Sequence, residues 1–333
     1  MTTRRSRDHR GDSGEASGHG HGVSERSAIV VEGTGGVWRV RDAVGETHEA
    51  ALAGRLKQEV RGALKLAVGD HVTIDRDERE SGWRITAIAP RTGVLARREP
   101  GGRYGERILA ANVDQVLIVF AYRKPEPHRR MIDRFLVIAE ANDLRVHLVL
   151  NKVDLCDGAA EAEVLAAPYR AAGYPVHCAS AKRGDGLDDL RRELHGRVTA
   201  VTGPSGVGKS SLLNTLHPAL GLRTQEISAS VNKGRHTTVG AKLIPLPDGD
   251  EGYLVDTPGL REVGMWGLPA ESLDQCFPEF RPYLGECRFQ DCQHDTEPGC
   301  AVRRALATGT IDAERYESYV KLLGELRAES PGW

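Results

Sequence analysis

Eight consecutive residues, Gly203-Pro204-Ser205-Gly206-Val207-Gly208-Lys209-Ser210, fit the pattern G-x-x-x-x-G-K-[ST] at every fixed position. Glycines at this spacing let the backbone curl until successive N–H groups point into one concavity, which suits anionic oxygens. Lys209 then reaches the outer phosphates of a nucleotide and the Ser210 hydroxyl takes Mg²⁺, with Ser211 next in the same candidate set. A helix opening at this point adds its partial positive charge to the site.

A second pattern, Asn151-Lys152-Val153-Asp154, follows an apolar run ending at Leu150. A carboxylate at the end of such a loop accepts both the ring N–H and the exocyclic amine of guanine. Adenine offers the reverse pattern and would leave that carboxylate unpaired. Lys152 lies along the base with its alkyl stem, and Asn151 ties the loop to its neighbours. Four residues alone carry little weight. They gain it from Ser180-Ala181-Lys182, whose backbone N–H can meet the guanine carbonyl. Asp256-Thr257-Pro258-Gly259 adds Asp256, placed to reach Mg²⁺ through water, and a Gly259 N–H able to sense a γ-phosphate.

A third constellation is C-x4-C-x-H-x5-C, formed by Cys287, Cys292, His294 and Cys300. Three thiolates and an imidazole suit tetrahedral Zn²⁺, and all four positions come from protein. The expected ion is structural, one per chain, clamping a segment too small to build a core. Cys178 reads as buried strand filler.

The elements that must hold these residues follow from periodicity. Ile29–Val31, Gly36–Val40, His71–Ile74 and Trp83–Ile88 read as short strands separated by turns, which predicts an N-terminal OB-type β-barrel over residues 28–95. A polar, Arg-rich connection from Pro90 to Glu106 (Arg91, Arg97, Arg98, Arg103) is expected to be mobile. Val116–Phe120, Val146–Leu150, Val176–Cys178, Val198–Thr202 and Tyr253–Val255 then read as buried strands. Helical stripes lie between them, at Met131 to Ala139 and at Leu187, Leu190 and Leu194. That alternation predicts a mainly parallel sheet and a central α/β domain over residues 108–263. Residues 264–333 are expected to form a zinc-binding, mostly helical domain, with helices over Val302–Ala307 and Ala313–Arg327.

Composition sets the outer limits. At 333 residues the chain has room for two or three domains. A net charge of −2 makes no global case for nucleic acid, so RNA contacts must come from local basic patches. Candidates are Arg91–Arg107, the Arg123, Lys124, Arg129 and Arg130 group, and Lys233–Arg235. There is no apolar run of about 18 residues to span a membrane, and the N-terminus has no apolar signal segment. Six cysteines without such a signal suit a reducing compartment. Residues 1–27, rich in Arg, Gly, Ser and His, read as a disordered tail.

Together the four nucleotide motifs resemble the translation-factor-related GTPases, but in an unusual order, with N-K-x-D and S-A-K ahead of the phosphate loop. The chain therefore looks circularly permuted. Permutation leaves the pocket intact because nucleotide loops sit at strand C-termini whichever strand comes first. Such a GTPase needs a switch threonine on Mg²⁺ and the γ-phosphate. Thr238 is the first choice and Thr237 the second, within Asn232–Thr238. Leu260 stands where many relatives place a water-orienting Gln. His236 is the candidate to act instead, and Lys209 and Thr238 complete the catalytic set. The segment after Gly259 runs straight into the Cys-rich domain and is expected to carry nucleotide state there. The phosphate loop alone also resembles that of guanylate kinases, although a kinase would need none of the other three motifs.

The barrel, the permuted GTPase with Gly234-Arg235-His236-Thr237-Thr238, and the Cys–His cluster followed by helices resemble one family. It is the bacterial ribosome small-subunit-dependent GTPase family, RsgA or YjeQ. Val68-Gly69-Asp70, Ala111-Asn112-Val113-Asp114, Asp133-Arg134-Phe135-Leu136 and Glu297-Pro298-Gly299-Cys300 belong to the same resemblance. Val239 departs from it where some members carry a third Thr. The resemblance implies a monomeric cytoplasmic assembly factor with Mg²⁺ and GTP. It would bind the small ribosomal subunit and its 16S-type rRNA late in maturation and leave after hydrolysis. A different class, an RNA-binding scaffold gated by nucleotide with incidental hydrolysis, stays open on sequence alone.

Overall fold

Strands β1 (Arg26–Thr34), β2 (Val37–Asp42), β3 (Thr47–Leu52), β4 (His71–Asp77) and β5 (Gly82–Ile88) close into a barrel in the order β1-β2-β3-β5-β4. All pairings are antiparallel except β3 with β5, which is parallel. Side chains alternate along each strand, and those turned inward, Val30, Val40, Ala50, Val72, Ile74 and Ile85, are buried. The computed structural model describes residues 25–34, 36–60, 66–77, 82–97, 107–222, 241–247, 251–256 and 268–329. Residues 1–24 of the expected 1–27 tail, Arg98 and Arg103, the switch residues His236, Thr237 and Thr238, and Gly259 and Leu260 lie outside the described residues. Arg26 and Ser27, expected in that tail, instead open β1 and pair with Ile74 and Thr73 of β4.

Two departures from the sequence reading lie in the barrel and just after it. The barrel's third strand, β3, carries adjacent alanines (Ala50, Ala51) rather than β-branched residues, so its period is hard to hear. Ala50 is small because it faces a closed core. The stretch from Pro90 to Glu106, expected to be one mobile connection, instead contributes a strand. Here β6 (Val94–Arg97) pairs antiparallel with β7 (Arg107–Ala111), with Leu95 and Ala110 buried. Long-range pairing overrides local polarity at this point.

Barrel and central domain are joined by a polar latch. The Asn112 amide donates to the Gly69 carbonyl at 2.9 Å, and the Ala111 N–H donates to Val68 O at 2.8 Å. Asp70, fully buried, accepts from Arg91 Nε at 2.7 Å and from the Ala67 N–H at 2.8 Å. Val68-Gly69-Asp70 and Ala111-Asn112, far apart in sequence, are thus one contact.

The central sheet runs β10-β9-β8-β11-β13-β12. Its strands are β8 (Gln115–Ala121), β9 (Arg145–Asn151), β10 (Val176–Ala179), β11 (Val198–Thr202), β12 (Lys242–Pro245) and β13 (Tyr253–Asp256). All are parallel except the edge strand β12. Because both faces are covered, β8 is buried along its whole length. Its Val116, Ile118 and Phe120 pack with α2 (Arg129–Glu140) and α3 (Ala159–Ala171). Its Leu117, Val119 and Ala121 pack with α4 (Leu187–Leu194) and α5 (Lys209–Leu216). A shorter helix, α1 (Gly54–Val60), follows β3.

The C-terminal unit packs α6 (Ala301–Ala307) and α7 (Ala313–Glu329) over short 3-10 turns between Ala270 and Tyr283. Its core holds Phe277, Phe280, Tyr319, Leu322 and Leu323, and Val137 of α2 belongs to the same cluster. One helix therefore feeds two cores: Ile132 and Leu136 face the sheet, Val137 the C-terminal unit. Cys178 departs from the expected full burial. It is half-buried, with Arg170 Nη2 at 3.8 Å from its sulfur.

Candidate functional site

Three loops converge at the C-terminal edge of the parallel strands β10, β9 and β11. The phosphate loop follows β11, Asn151 closes β9, and Ser180 follows β10. Parallel order makes this meeting unavoidable, since every strand of a βα unit points its C-terminus the same way.

Asn151, 1% exposed, is the hub. Its amide nitrogen donates to Val207 O at 2.9 Å, and its amide oxygen accepts from the Ala181 N–H at 3.1 Å. One side chain therefore joins the phosphate loop to the S-A-K loop. Lys152 donates to Gly206 O at 2.6 Å and also to Lys124 O. Burial lowers the Lys152 pKa, and the nearby Asp154 charge works the other way. Ser180, fully buried, donates its hydroxyl proton to Asp154 Oδ1 at 2.7 Å. Thr215 of α5 donates to Ala181 O at 3.1 Å.

The phosphate loop itself requires glycine at two contacts. Gly208 has φ of +92°, and a Cβ there would stand 2.6 Å from the Asn151 amide nitrogen. Gly203 has φ of +134°, and a Cβ would meet Val119 O at 2.0 Å. Both are left-handed or strained positions that only Gly occupies cheaply. Lys209 is 4% exposed and its ammonium donates to Gly203 O at 2.8 Å and Pro204 O at 2.6 Å. Ser210, 6% exposed, stands in the first turn of α5, whose N-terminus faces the loop. Asp256 ends β13, which pairs directly with β11. The structure thus brings Asn151–Asp154, Ser180–Lys182 and Gly203–Ser211 together, with Asp256 on the same sheet edge. His236, Thr237, Thr238 and Gly259 fall outside the described residues.

The second candidate site is the cysteine cluster. The ligand atoms of Cys287, Cys292, His294 and Cys300 all lie within 4.8 Å of one another. Cys287 Sγ is 3.9 Å from Cys300 Sγ and 3.5 Å from His294 Nδ1, which is 3.4 Å from Cys300 Sγ. A tetrahedron with metal–sulfur bonds of about 2.3 Å has edges of about 3.8 Å, so the residues present fit such an ion. The outer partners fit as well. His294 Nε2 lies 3.3 Å from Asp274 Oδ2, which leaves Nδ1 for the metal. Cys287 Sγ accepts from the Ala301 N–H at 3.3 Å and Cys300 Sγ from the Arg303 N–H at 3.4 Å, both donors lying in the first turn of α6. Cys276 is different: buried in the apolar core, its thiol is pushed up to about 12 and stays protonated.

Comparison with known proteins agrees with this arrangement. A family model described as RsgA GTPase matches residues 88–266. A protein named Small ribosomal subunit biogenesis GTPase RsgA, from Gemmatimonas aurantiaca, is 59% identical over 309 residues, covering 92% of this chain and 100% of the relative. The chain belongs to the RsgA GTPase family. Another RsgA of the same name, from Ectopseudomonas mendocina, is 42% identical over 84% of this chain and 81% of its own length. The crystal structure of YjeQ from Thermotoga maritima matches with a TM-score of 0.74 and 35% identity, over 91% of this chain and 98% of that one. YloQ, described as a circularly permuted GTPase, matches with a TM-score of 0.73 and 28% identity, over 95% and 99%. The RsgA fold and its permuted motif order are those seen here, and the chain's family chemistry is hydrolysis of GTP. Among the described residues no helix is long and apolar enough to cross a membrane.

Sequence reasoning missed the roles of two residues that hold the site. Lys124 offers its carbonyl to Lys152, and Arg183 reaches the Asp154 carbonyl at 3.0 Å. Neither falls in a motif. A backbone carbonyl carries no residue signature, and an exposed Arg in a loop looks like any solvated charge.

Proposed function

We propose that this chain hydrolyses GTP to GDP and phosphate as a late-stage maturation factor of the small ribosomal subunit. It binds 16S-type rRNA, turns over faster on the subunit and leaves after hydrolysis. The observation that carries the reading is Asn151, which ties the phosphate loop and the S-A-K loop to the base loop while Ser180 holds the Asp154 carboxylate. The names of the relatives from Gemmatimonas aurantiaca and Ectopseudomonas mendocina support the ribosomal role.

In this reading Asp154 accepts the guanine N–H groups, the Lys182 N–H meets the guanine carbonyl, the Ala181 N–H stays on Asn151, and Asn151, Lys152 and Val153 shape the base loop. Gly203–Ser211 wrap the phosphates, and Lys209 exchanges its loop carbonyls for phosphate oxygens. Bound Mg²⁺ would supply neutralisation of the phosphate charge. Ser210, Thr238 and, through water, Asp256 would hold it. The Gly259 N–H senses the γ-phosphate, which the switch threonine (Thr238, with Thr237 the second choice) also touches, and His236 orients the attacking water. Cys287, Cys292, His294 and Cys300 hold one structural Zn²⁺. The protein works as a cytoplasmic monomer.

The test is GTP turnover by the purified full chain, alone and with purified small or large ribosomal subunits. A rise of about tenfold or more with small subunits alone is expected. No rise, or an equal rise with large subunits, refutes the assignment.

A further inference from the structure

We infer that Arg183 is a positioning residue for guanine recognition, a proposal that rests on reading Asn151–Asp154 as the base loop. The base loop is a single 3-10 turn, Val153–Leu155, entered through Lys152 at φ of +66°. Its backbone bonds run from the Leu155 N–H to Lys152 O at 3.0 Å and from the Cys156 N–H to Val153 O at 3.0 Å. These satisfy the carbonyls of Lys152 and Val153 and leave that of Asp154 for an outside donor. Arg183 Nη2 supplies it at 3.0 Å. On the next residue, Arg123 Nη1 donates to Leu155 O at 3.2 Å.

Arg183 differs from Arg123 in where it comes from. It stands on the turn that Ser180 begins, a turn closed by the Gly184 N–H on Ser180 O at 2.8 Å and the Ser180 N–H on Asp185 O at 3.0 Å. The Arg183 backbone N–H donates to Ser180 Oγ at 3.1 Å, while that hydroxyl donates to Asp154 Oδ1. Asp154 is therefore held at both ends by one turn: its carboxylate through Ser180, its carbonyl through the Arg183 guanidinium. Two anchors fix the direction of the carboxylate, whereas Ser180 alone leaves the residue free to pivot. A carboxylate that pivots loses its paired bonds to ring N–H and exocyclic amine and keeps one at a time.

The consequence is specific to the base edge. Inosine nucleotides lack the exocyclic amine, so they need only one of the two bonds. The experiment uses the full chain and measures GDP and IDP affinity by calorimetry for wild type, Arg183→Ala and Arg183→Lys, with melting temperature alongside. Arg183→Ala is expected to weaken GDP by about five- to tenfold, the scale of one charge-assisted hydrogen bond at a partly solvated site. IDP affinity stays within about twofold, Arg183→Lys recovers part of the GDP loss, and the melting temperature holds. Unchanged GDP affinity, or equal losses for GDP and IDP, overturns the proposal. Asp154→Asn, assayed against GDP and ADP, separates the two levels. If it leaves the preference for GDP intact, the base-loop reading itself fails. If it removes that preference while Arg183→Ala does nothing, only the clamp falls.

Discussion

Arg315 of α7 and Asp133 of α2 meet at 2.6 Å with side chains 2% and 1% exposed. The same guanidinium holds Glu279 through Nε at 2.8 Å and Nη2 at 3.0 Å, and lies over the rings of Phe277, Tyr169 and Tyr174. Burial works to raise the Asp133 carboxyl, and the Arg315 charge opposes it. A guanidinium in this cage stays charged. Removing it strands two carboxylates between the central domain and the C-terminal unit. Arg315→Met should cost about 3–5 kcal/mol in denaturant unfolding. Arg315→Lys should recover little, since an ammonium cannot serve both carboxylates and stack on three rings. A loss under about 1 kcal/mol for Arg315→Met would contradict this account.

The junction of loops at Asn151 can be tested apart from chemistry. Asn151→Ala removes two buried hydrogen bonds and should weaken GDP binding by about ten- to a hundredfold. Gly208→Ala places a methyl against the same amide at a left-handed φ and should lose about tenfold or more. Calorimetric affinities near wild type for either variant would show that the loops hold together without this contact.

For the cysteine cluster, elemental analysis of purified protein should find one zinc per chain, and Cys292→Ser should lose most of it. If the ion clamps the irregular segment against the core of Phe277, Phe280 and Tyr319, chelation should lower the melting temperature and expose 268–300 to protease. Full-length protein prepared metal-free yet equally resistant would rule out a structural ion.

A histidine pair predicts a pH dependence. His147 Nδ1 lies 3.1 Å from His177 Nε2, and Glu193 Oε2 lies 3.6 Å from His147 Nε2. Burial lowers the His147 pKa to about 4, with Glu193 pulling upward and His177, Arg145 and Arg197 pushing down. Burial lowers His177 as well. The unfolded chain, titrating near 6.5, then binds more protons than the folded one between pH 6.5 and 4. Stability is therefore complete above pH 6.5 and falls as pH drops through that window, by up to about 3 kcal/mol from His147. His147→Gln should flatten the profile of unfolding free energy between pH 7 and 4.5. An unaltered slope would assign the dependence elsewhere.

Much of the candidate site could be read from the chain because its chemistry is local. Gly203–Ser210 must be glycine-rich where the backbone turns, and Asn151–Asp154 and Ser180–Lys182 each sit just past an apolar run. Strand β3, the β6–β7 pair and the edge strand β12 escaped that reading. Their residues answer to partners far along the chain rather than to a local period.

The sequence by itself determined the loop chemistry, the strand–helix alternation, the permuted motif order and the four members of the Cys–His cluster, since each depends on neighbours within a few residues. Only the tertiary structure decided that Val68-Gly69-Asp70 latches onto Ala111-Asn112, that Arg315 closes on Asp133 and Glu279, and that Arg183 reaches Asp154. Those contacts join residues tens to nearly two hundred positions apart. Which distant groups meet follows from how strands order in a sheet and helices pack on it, and no spacing along the chain encodes it.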